Sequence, residues 1–243
     1  MPIAMTQEQQ ALQASLRDWA KRTNPIDLVR AWPGGAGGMD SPRERGFRGV
    51  APRASRARVR HLLGRGTVTD LAAALEQLAC VLAPGPVLPT ALASVLLVRC
   101  GRKVRTGATA CVALAPGTLT GTRRADGTLR VTGETGPVLW AAGHLLASVG
   151  TADGDAWFLI DQGQPGVTVE NLAPLDFSRE LVAVRLANAV IPPENLLPGL
   201  GTEGVRDLAA TLYAAEAAGV GRLVQRHGRR LCRHPQAVRS PDR

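Results

Sequence analysis

Apolar positions in the first part of the chain recur three and four residues apart. Leu12, Leu16, Trp19 and Ala20 share one helical face behind the string Thr6-Gln7-Glu8-Gln9, which has the form of a capping box with Thr6 as N-cap and Gln9 as its reciprocal partner. Asn24-Pro25 ends that helix and opens a second over residues 26–31. Residues 34–38 (GGAGG) form a linker; without a following Gly-Lys-Ser/Thr they do not make a phosphate cradle. Thr67 or Thr69 then caps a helix over residues 70–82, whose Leu71, Leu75, Leu78 and Leu82 lie on its buried face, and residues 89–99 form another. No internal repeat is visible.

Beyond Cys111 the pattern is one of short strands between turn residues. Strands are predicted over 112–114, 129–132, 145–149 and 157–160, with a loop over 116–122 and a hairpin turn at Ala125-Asp126-Gly127. A turn at 163–166 leads to a β-branched run over 167–169. Strand residues then return at 181–186 and at Val190-Ile191, before Pro192-Pro193-Glu194-Asn195. This order reads as an antiparallel meander closing into a small barrel or double sheet, followed by a helix from Gly204 that runs AATLYAAEAAGVG. The fold class is α+β.

Composition supports a soluble reading. The 243 residues are 45% hydrophobic but only 3% aromatic, so Leu, Val and Ala supply the core. The first ten residues have neither a basic start nor an apolar block, so no secretory leader is expected and the location is taken as cytoplasmic. Residues 77–98 carry no charge over 22 positions, long enough to span a bilayer, but Pro84-Gly85-Pro86 and Pro89 interrupt them. They read as two buried helices and a turn. Cys80, Cys100, Cys111 and Cys232 have no metal-ligand spacing and are taken as reduced thiols.

Charge is unevenly placed. The net charge is +9 and arginine outnumbers lysine 27 to 2. Residues 41–66 hold eight arginines and one acid, and residues 222–243 hold seven and one. With those 15 of the 29 basic residues and two of the 20 acids set aside, the remainder nets −4. Both tracts mix Arg, Gly, Pro, Ala and Ser without helical or strand period, and apart from Phe47 lack the interleaved aromatics of a nucleic-acid surface. Such a mixture is what GC-rich coding DNA yields out of frame, so the tracts read as frame-shifted segments; the alternative is a mobile basic loop and a disordered tail. Nucleic acid is not the expected partner.

The run from Trp157 to Gly199 carries a more specific signal. Pro165-Gly166-Val167, the alternating Val182 to Leu186 and the turn Ile191 to Gly199 follow the order and spacing of the middle domain of the acyl-CoA dehydrogenases, which this chain resembles. The resemblance extends to the N-terminal helices and their APGPVLPT turn, lapses over 41–66 and ends near Gly221. It implies an N-terminal helical domain (1–110, with 41–66 aberrant), a middle β domain (111–203) and the truncated start of a C-terminal helical bundle with a basic tail (204–243).

The resemblance also implies chemistry. A glutamate base removes the α proton of an acyl-CoA thioester while the β hydride passes to FAD, as in fatty acid β-oxidation. The family's flavin- and substrate-binding loop falls on residues 114–121, where Pro116 and the hydroxyl of Thr120 are retained, so Thr120 is the candidate cofactor-binding residue. In the family's next strand Gly133 is retained, but Pro137 stands for a tryptophan that packs on flavin and Leu139 for a threonine that bonds it. Trp140 has the wrong strand parity to replace the former and is expected in the core. No catalytic or metal-ligating residue is assigned. Glu216, Asp176 and Glu180 read as solvated carboxylates, and His61, His144, His227 and His234 form no hydrolytic constellation. The expectation is an oxidoreductase-family chain lacking its own base and inactive alone, with another acyl-CoA dehydrogenase subunit as partner. Its alternatives are a degenerate non-catalytic subunit of a hetero-oligomer, a decayed fragment, or a basic nucleic-acid-binding or scaffold protein. An unpaired bundle helix would expose Leu208, Leu212 and Tyr213.

Overall fold

The computed structural model describes residues 5–30, 67–102, 109–140, 143–152, 154–176 and 179–233. The basic tract 41–66 lies outside the described residues, as do residues 234–243 of the second tract.

Helix α1 (Gln7–Thr23) begins as its sequence dictates. The Thr6 side chain accepts from Gln9 N, the Gln9 side chain accepts from Thr6 N, and the helix stops at Asn24, which adopts the left-handed conformation. Helix α2 (Pro25–Arg30) follows directly. Helix α3 (Val68–Ala79) has a second capping box between Thr67 and Asp70, so Thr67 and not Thr69 is the cap. Gln9 Nε2 donates to Asp70 Oδ1 at 2.9 Å, tying the starts of α1 and α3 together. The Thr67 amide and the Gln9 side chain, both donating to Asp70, hold its carboxyl below the usual carboxylate range. Leu16, Trp19 and Ala20 of α1 bury against Ala74 and Leu78 of α3. The turn after α3 places Leu82 at φ 49°, and α4 (Val87–Arg99) starts two residues earlier than its apolar period suggests. Among the described residues no helix is long and apolar enough to cross a membrane.

Among the described residues eight strands follow: β1 (Ala110–Val112), β2 (Thr120–Arg123), β3 (Leu129–Glu134), β4 (Val138–Leu139), β5 (His144–Thr151), β6 (Gly154–Asp161), β7 (Val167–Leu172) and β8 (Leu181–Ile191). They form a three-stranded sheet, β1-β5-β6, and a five-stranded one, β2-β3-β8-β4 with β7 also on β8. The inner faces meet in a core that includes Leu145, Phe158, Ile160, Val182, Val184 and Leu186. Every pair is antiparallel except β1 with β5, which is parallel in the register Cys111 to Leu145. The meander expected from the sequence is interrupted there, because the chain leaves for the second sheet at β2 and returns to the first only at β5.

Strand β8 explains why its sequence reads as two pieces. Val182, Val184 and Leu186 point inward, then the inward parity changes to Ala189 and Ile191. The change is a β-bulge: Val131 pairs Ala189 but Gly133 pairs Leu186, and Asn188 sits at φ 53° with its N–H on Thr132 Oγ1 at 3.2 Å.

After a single 3₁₀ turn (Pro193–Asn195) the chain enters α5 (Thr202–Arg233). This helix corrects two expectations. Leu208 and Leu212 are not exposed: they are 5% and 0% accessible, packed with Leu71, Leu75, Leu92 and Leu96 of α3 and α4, and Tyr213 is partly buried against the same cluster. The α3–α4 pair covers the face that a free helix would leave open. Nor does helical order end near Gly221, since α5 continues to Arg233. Leu223, Val224, Gln225 and the arginines are adequate helix formers, proline does not recur until Pro235, and elongation of a helix already held by packing needs no apolar period of its own. Past Gly219 the described side chains are largely exposed, with Val224 at 65%, although Arg222 Nη2 meets Glu76 Oε1 at 2.9 Å.

Candidate functional site

The loop after β1 is pressed onto the end of β3. Thr118 N–H donates to Glu134 O at 2.8 Å and Glu134 N–H donates to Thr118 Oγ1 at 3.1 Å. The approach is so close that side chains are excluded on both sides: a Cβ at Gly117 would lie 2.2 Å from Glu134 O, and one at Gly133 2.3 Å from Thr118 O. Gly133 is at φ 120°, a conformation open to glycine and strained for other residues. Thr135, buried beside this seam, accepts from Val184 N–H through its hydroxyl and donates its own N–H to Val184 O.

The seam forms one wall of a cleft of about 130 Å³, which continues over Ser148–Gly150 at the end of β5, Trp157 of β6 and the first turns of α5 at Thr202, Val205 and Arg206. Trp157 Nε1 donates to Thr202 Oγ1 at 3.2 Å, and the Thr202 hydroxyl donates to Asp155, so the opening of α5 is fixed on the sheet. No lining residue is a carboxylate, histidine or cysteine, and among the described residues no group of three side chains could hold a metal ion. Complete small-molecule pockets enclose roughly 300–1,000 Å³. The described residues therefore make a wall and a floor.

The residues singled out by sequence fall unevenly around this cleft. Pro116 lines it. Thr120 does not: it is exposed on β2 and its hydroxyl donates to Thr132 O at 3.3 Å. Pro137 is exposed and Leu139 pairs with Leu181 in the β4–β8 ladder. Trp140 is 8% accessible, in the core as its parity predicts, with φ 73° and its N–H on Glu180 O. Of the residues that the resemblance sets near a flavin, Pro116 lines the cleft and Thr120, Pro137 and Leu139 do not. The hydroxyls of Thr120 and Thr135 are engaged within the sheet, Pro137 has no N–H, and Leu139 offers only hydrocarbon. Sequence reasoning missed Trp157, Thr202 and Arg206, which come from separate elements with no shared motif.

Glu216 requires a correction. It is not on a solvated face: its side chain is 16% accessible and meets Arg179 Nη2 at 2.8 Å. Arg179 also contacts Asp176 at 3.6 Å, so the β7–β8 connection is tied to α5 through one guanidinium. Beside this pair, burial and then the Glu216 charge push the Tyr213 hydroxyl up to about 12. The folded value exceeds the unfolded one, near 10, so this group contributes stability that is complete below pH about 10 and is lost as pH rises towards about 12. Tyr213 is the only tyrosine in the chain, and its phenolate absorbance is expected to appear well above the pH of a free tyrosine. A midpoint near 10 in the folded protein would show that Tyr213 is solvated.

No protein-family model matches the chain. Acyl-CoA dehydrogenase FadE34 of Mycobacterium tuberculosis is 37% identical to it over 163 residues, which is 65% of this chain and 21% of that protein. Over its N-terminal and middle parts the chain is similar to the acyl-CoA dehydrogenases. It spans about a fifth of the length of FadE34. Solved acyl-CoA dehydrogenases share the fold. The ChsE4–ChsE5 complex of M. tuberculosis superposes over 100% of this chain and 70% of its own, with a TM-score of 0.77 at 20% identity. Butyryl-CoA dehydrogenase of Megasphaera elsdenii superposes over 90% and 67%, with a TM-score of 0.68 at 17% identity. A glutaryl-CoA dehydrogenase of M. smegmatis with the same fold is in complex with FADH2, at a TM-score of 0.68, 15% identity and coverage of 90% and 63%.

Proposed function

We propose that this chain is a non-catalytic subunit of a heteromeric acyl-CoA dehydrogenase, contributing one wall of a thioester cleft to an assembly in which a second family member supplies flavin and base. The substrate class is an acyl-CoA thioester, and the process is the α,β-dehydrogenation of β-oxidation. The observation that carries the reading is the 37% identity to FadE34 joined to a cleft whose lining has no carboxylate, histidine or cysteine. The two-chain ChsE4–ChsE5 complex, which shares the fold, supports an assembly of this kind.

The chemistry explains the division of labour. Removing an α proton requires a base within hydrogen-bond reach. Trp157, Val149 and Leu114 can hold an apolar chain but cannot take a proton. The test is the expressed chain, purified with and without a co-expressed family partner, then offered FAD and a panel of acyl-CoAs with an artificial electron acceptor. Alone it is expected to be colourless and to run at or below a rate about 10²–10⁴-fold under that of the complex, the usual value of a positioned base. A yellow protein turning over substrate without a partner defeats the proposal.

A further inference from the structure

At the end of α5 far from the cleft, three helices meet around one carboxylate. Glu76 of α3 accepts from Arg222 Nη2 of α5 through Oε1 at 2.9 Å and from Gln13 Nε2 of α1 through Oε2 at 3.2 Å, so both of its oxygens are engaged. One turn further along, the positive charge has no counterpart. Arg17 of α1 is exposed and donates to the neutral Gln77 side chain at 3.2 Å. Arg226 and Arg229 of α5 are exposed and make no ion pair with a described carboxylate. Burial pushes the Cys80 thiol at the end of α3 up, against an opposing field from Arg226, Arg222 and Arg17, so the three guanidiniums converge on one spot. From residue 217 to residue 233 the chain holds five arginines and no acid. Residues 41–66, with eight arginines and one acid, cannot by their own composition supply the missing anion.

We propose that this arginine-lined junction of α1, α3 and α5 binds the phosphate backbone of a nucleic acid without reading its bases. Three observations select that partner. Val220 and Val224, the exposed apolar side chains of this stretch, stand two positions from Arg222, which on a helix of about 3.6 residues per turn is the opposite face. One flat lipid surface therefore cannot take both the valines and the arginines. The arginine face also lacks the buried apolar or aromatic anchor on which protein interfaces depend. A phosphate backbone needs neither, because charge neutralisation with counterion release supplies its affinity, and a guanidinium fork matches the phosphate oxygens. The lack of interleaved aromatics in the sequence withholds base stacking but leaves phosphate contact open. The junction is separate from the cleft and independent of the thioester reading.

Fluorescence anisotropy of the full chain with a labelled DNA duplex tests it. Wild type is expected to bind, with affinity falling steeply between about 50 and 200 mM salt. Arg17→Gln/Arg226→Gln/Arg229→Gln is expected to flatten the slope of log affinity against log salt by about 2.7, about 0.9 for each phosphate contact removed, and to weaken low-salt binding at least about tenfold. Arg99→Gln/Arg123→Gln/Arg124→Gln removes the same charge from exposed positions elsewhere and is expected to leave affinity within about threefold of wild type. Equal losses in the two triple variants overturn the proposal, as does failure of wild type to bind. Polyglutamate and phosphatidylserine vesicles, added at equal charge, are expected to displace the labelled duplex far less than unlabelled DNA does. Displacement by polyglutamate to the same extent would make the partner an acidic protein, and by the vesicles a membrane, and either result overturns the nucleic-acid assignment.

Discussion

Gly133→Ala is expected to lower the melting temperature by several degrees and to open the cleft wall at the same time. The position combines φ 120° with a Cβ contact of 2.3 Å to Thr118 O and 2.8 Å to the Thr118 carbonyl carbon. An L side chain held in such a conformation costs about 1–3 kcal/mol. The clash adds a further cost, of the order of the 1–3 kcal/mol seen on overpacking, because both neighbours are backbone and cannot rotate away. For a chain of this length each kcal/mol lowers the midpoint by roughly 2–4 °C. Gly117→Ala strains the same seam from the other side, with Glu134 O at 2.2 Å, so the double substitution is expected to cost less than the sum of the two. Gly150, which has nothing within 4 Å of its Cβ position and also lines the cleft, is the control. Thermal unfolding followed by circular dichroism decides the matter; a midpoint for Gly133→Ala indistinguishable from that of Gly150→Ala would mean that the seam does not hold the loop.

A second pair of substitutions separates helix propensity from helix packing. Alanine is a better helix former than glycine by roughly 0.8–1 kcal/mol. At Gly221, with nothing within 4 Å of the Cβ position, that gain is expected in full and Gly221→Ala stabilises. Two residues earlier the sign reverses. A Cβ at Gly219 would lie 2.2 Å from Glu76 O and 2.7 Å from the Ala79 Cβ, where α5 crosses α3. Gly219→Ala therefore forces the helices apart, at about 1–3 kcal/mol of overpacking against a gain of under 1. It also pulls on the Arg222–Glu76 ion pair one turn away. Denaturant titration of both variants with equal m-values is the measurement. Two shifts of the same sign would show that α5 does not rest on α3 at Gly219.

Much of the architecture was legible before any coordinates. Thr6-Gln9 and Thr67-Asp70 specify helix starts through local hydrogen bonds that need nothing distant. The turns at Asp126-Gly127 and Pro165-Gly166 likewise place strand ends, Gly127 and Gly166 taking positive φ. Errors arose where one element's state depends on another. The two halves of β8 look unrelated because the Asn188 bulge, stabilised by Thr132 from a neighbouring strand, resets the inward parity. Leu208 and Leu212 look unprotected only if α3 and α4 are left out. Glu216 looks solvated unless Arg179, 37 positions earlier in the chain, is brought beside it.

The sequence by itself determined the α+β class, the helix caps and the resemblance to the acyl-CoA dehydrogenases, because each is a property of residue identity or of neighbours a few positions apart. The tertiary structure alone decided the parallel β1–β5 pair, the covering of α5, and the assembly of Pro116, Ser148, Trp157, Thr202 and Arg206 around one cleft. Those five residues come from a loop, two strands and a helix spread over 91 positions. Only the docking of the first turn of α5 on Trp157 and Asp155 of β6 brings them together, and no spacing rule along a chain encodes that distance.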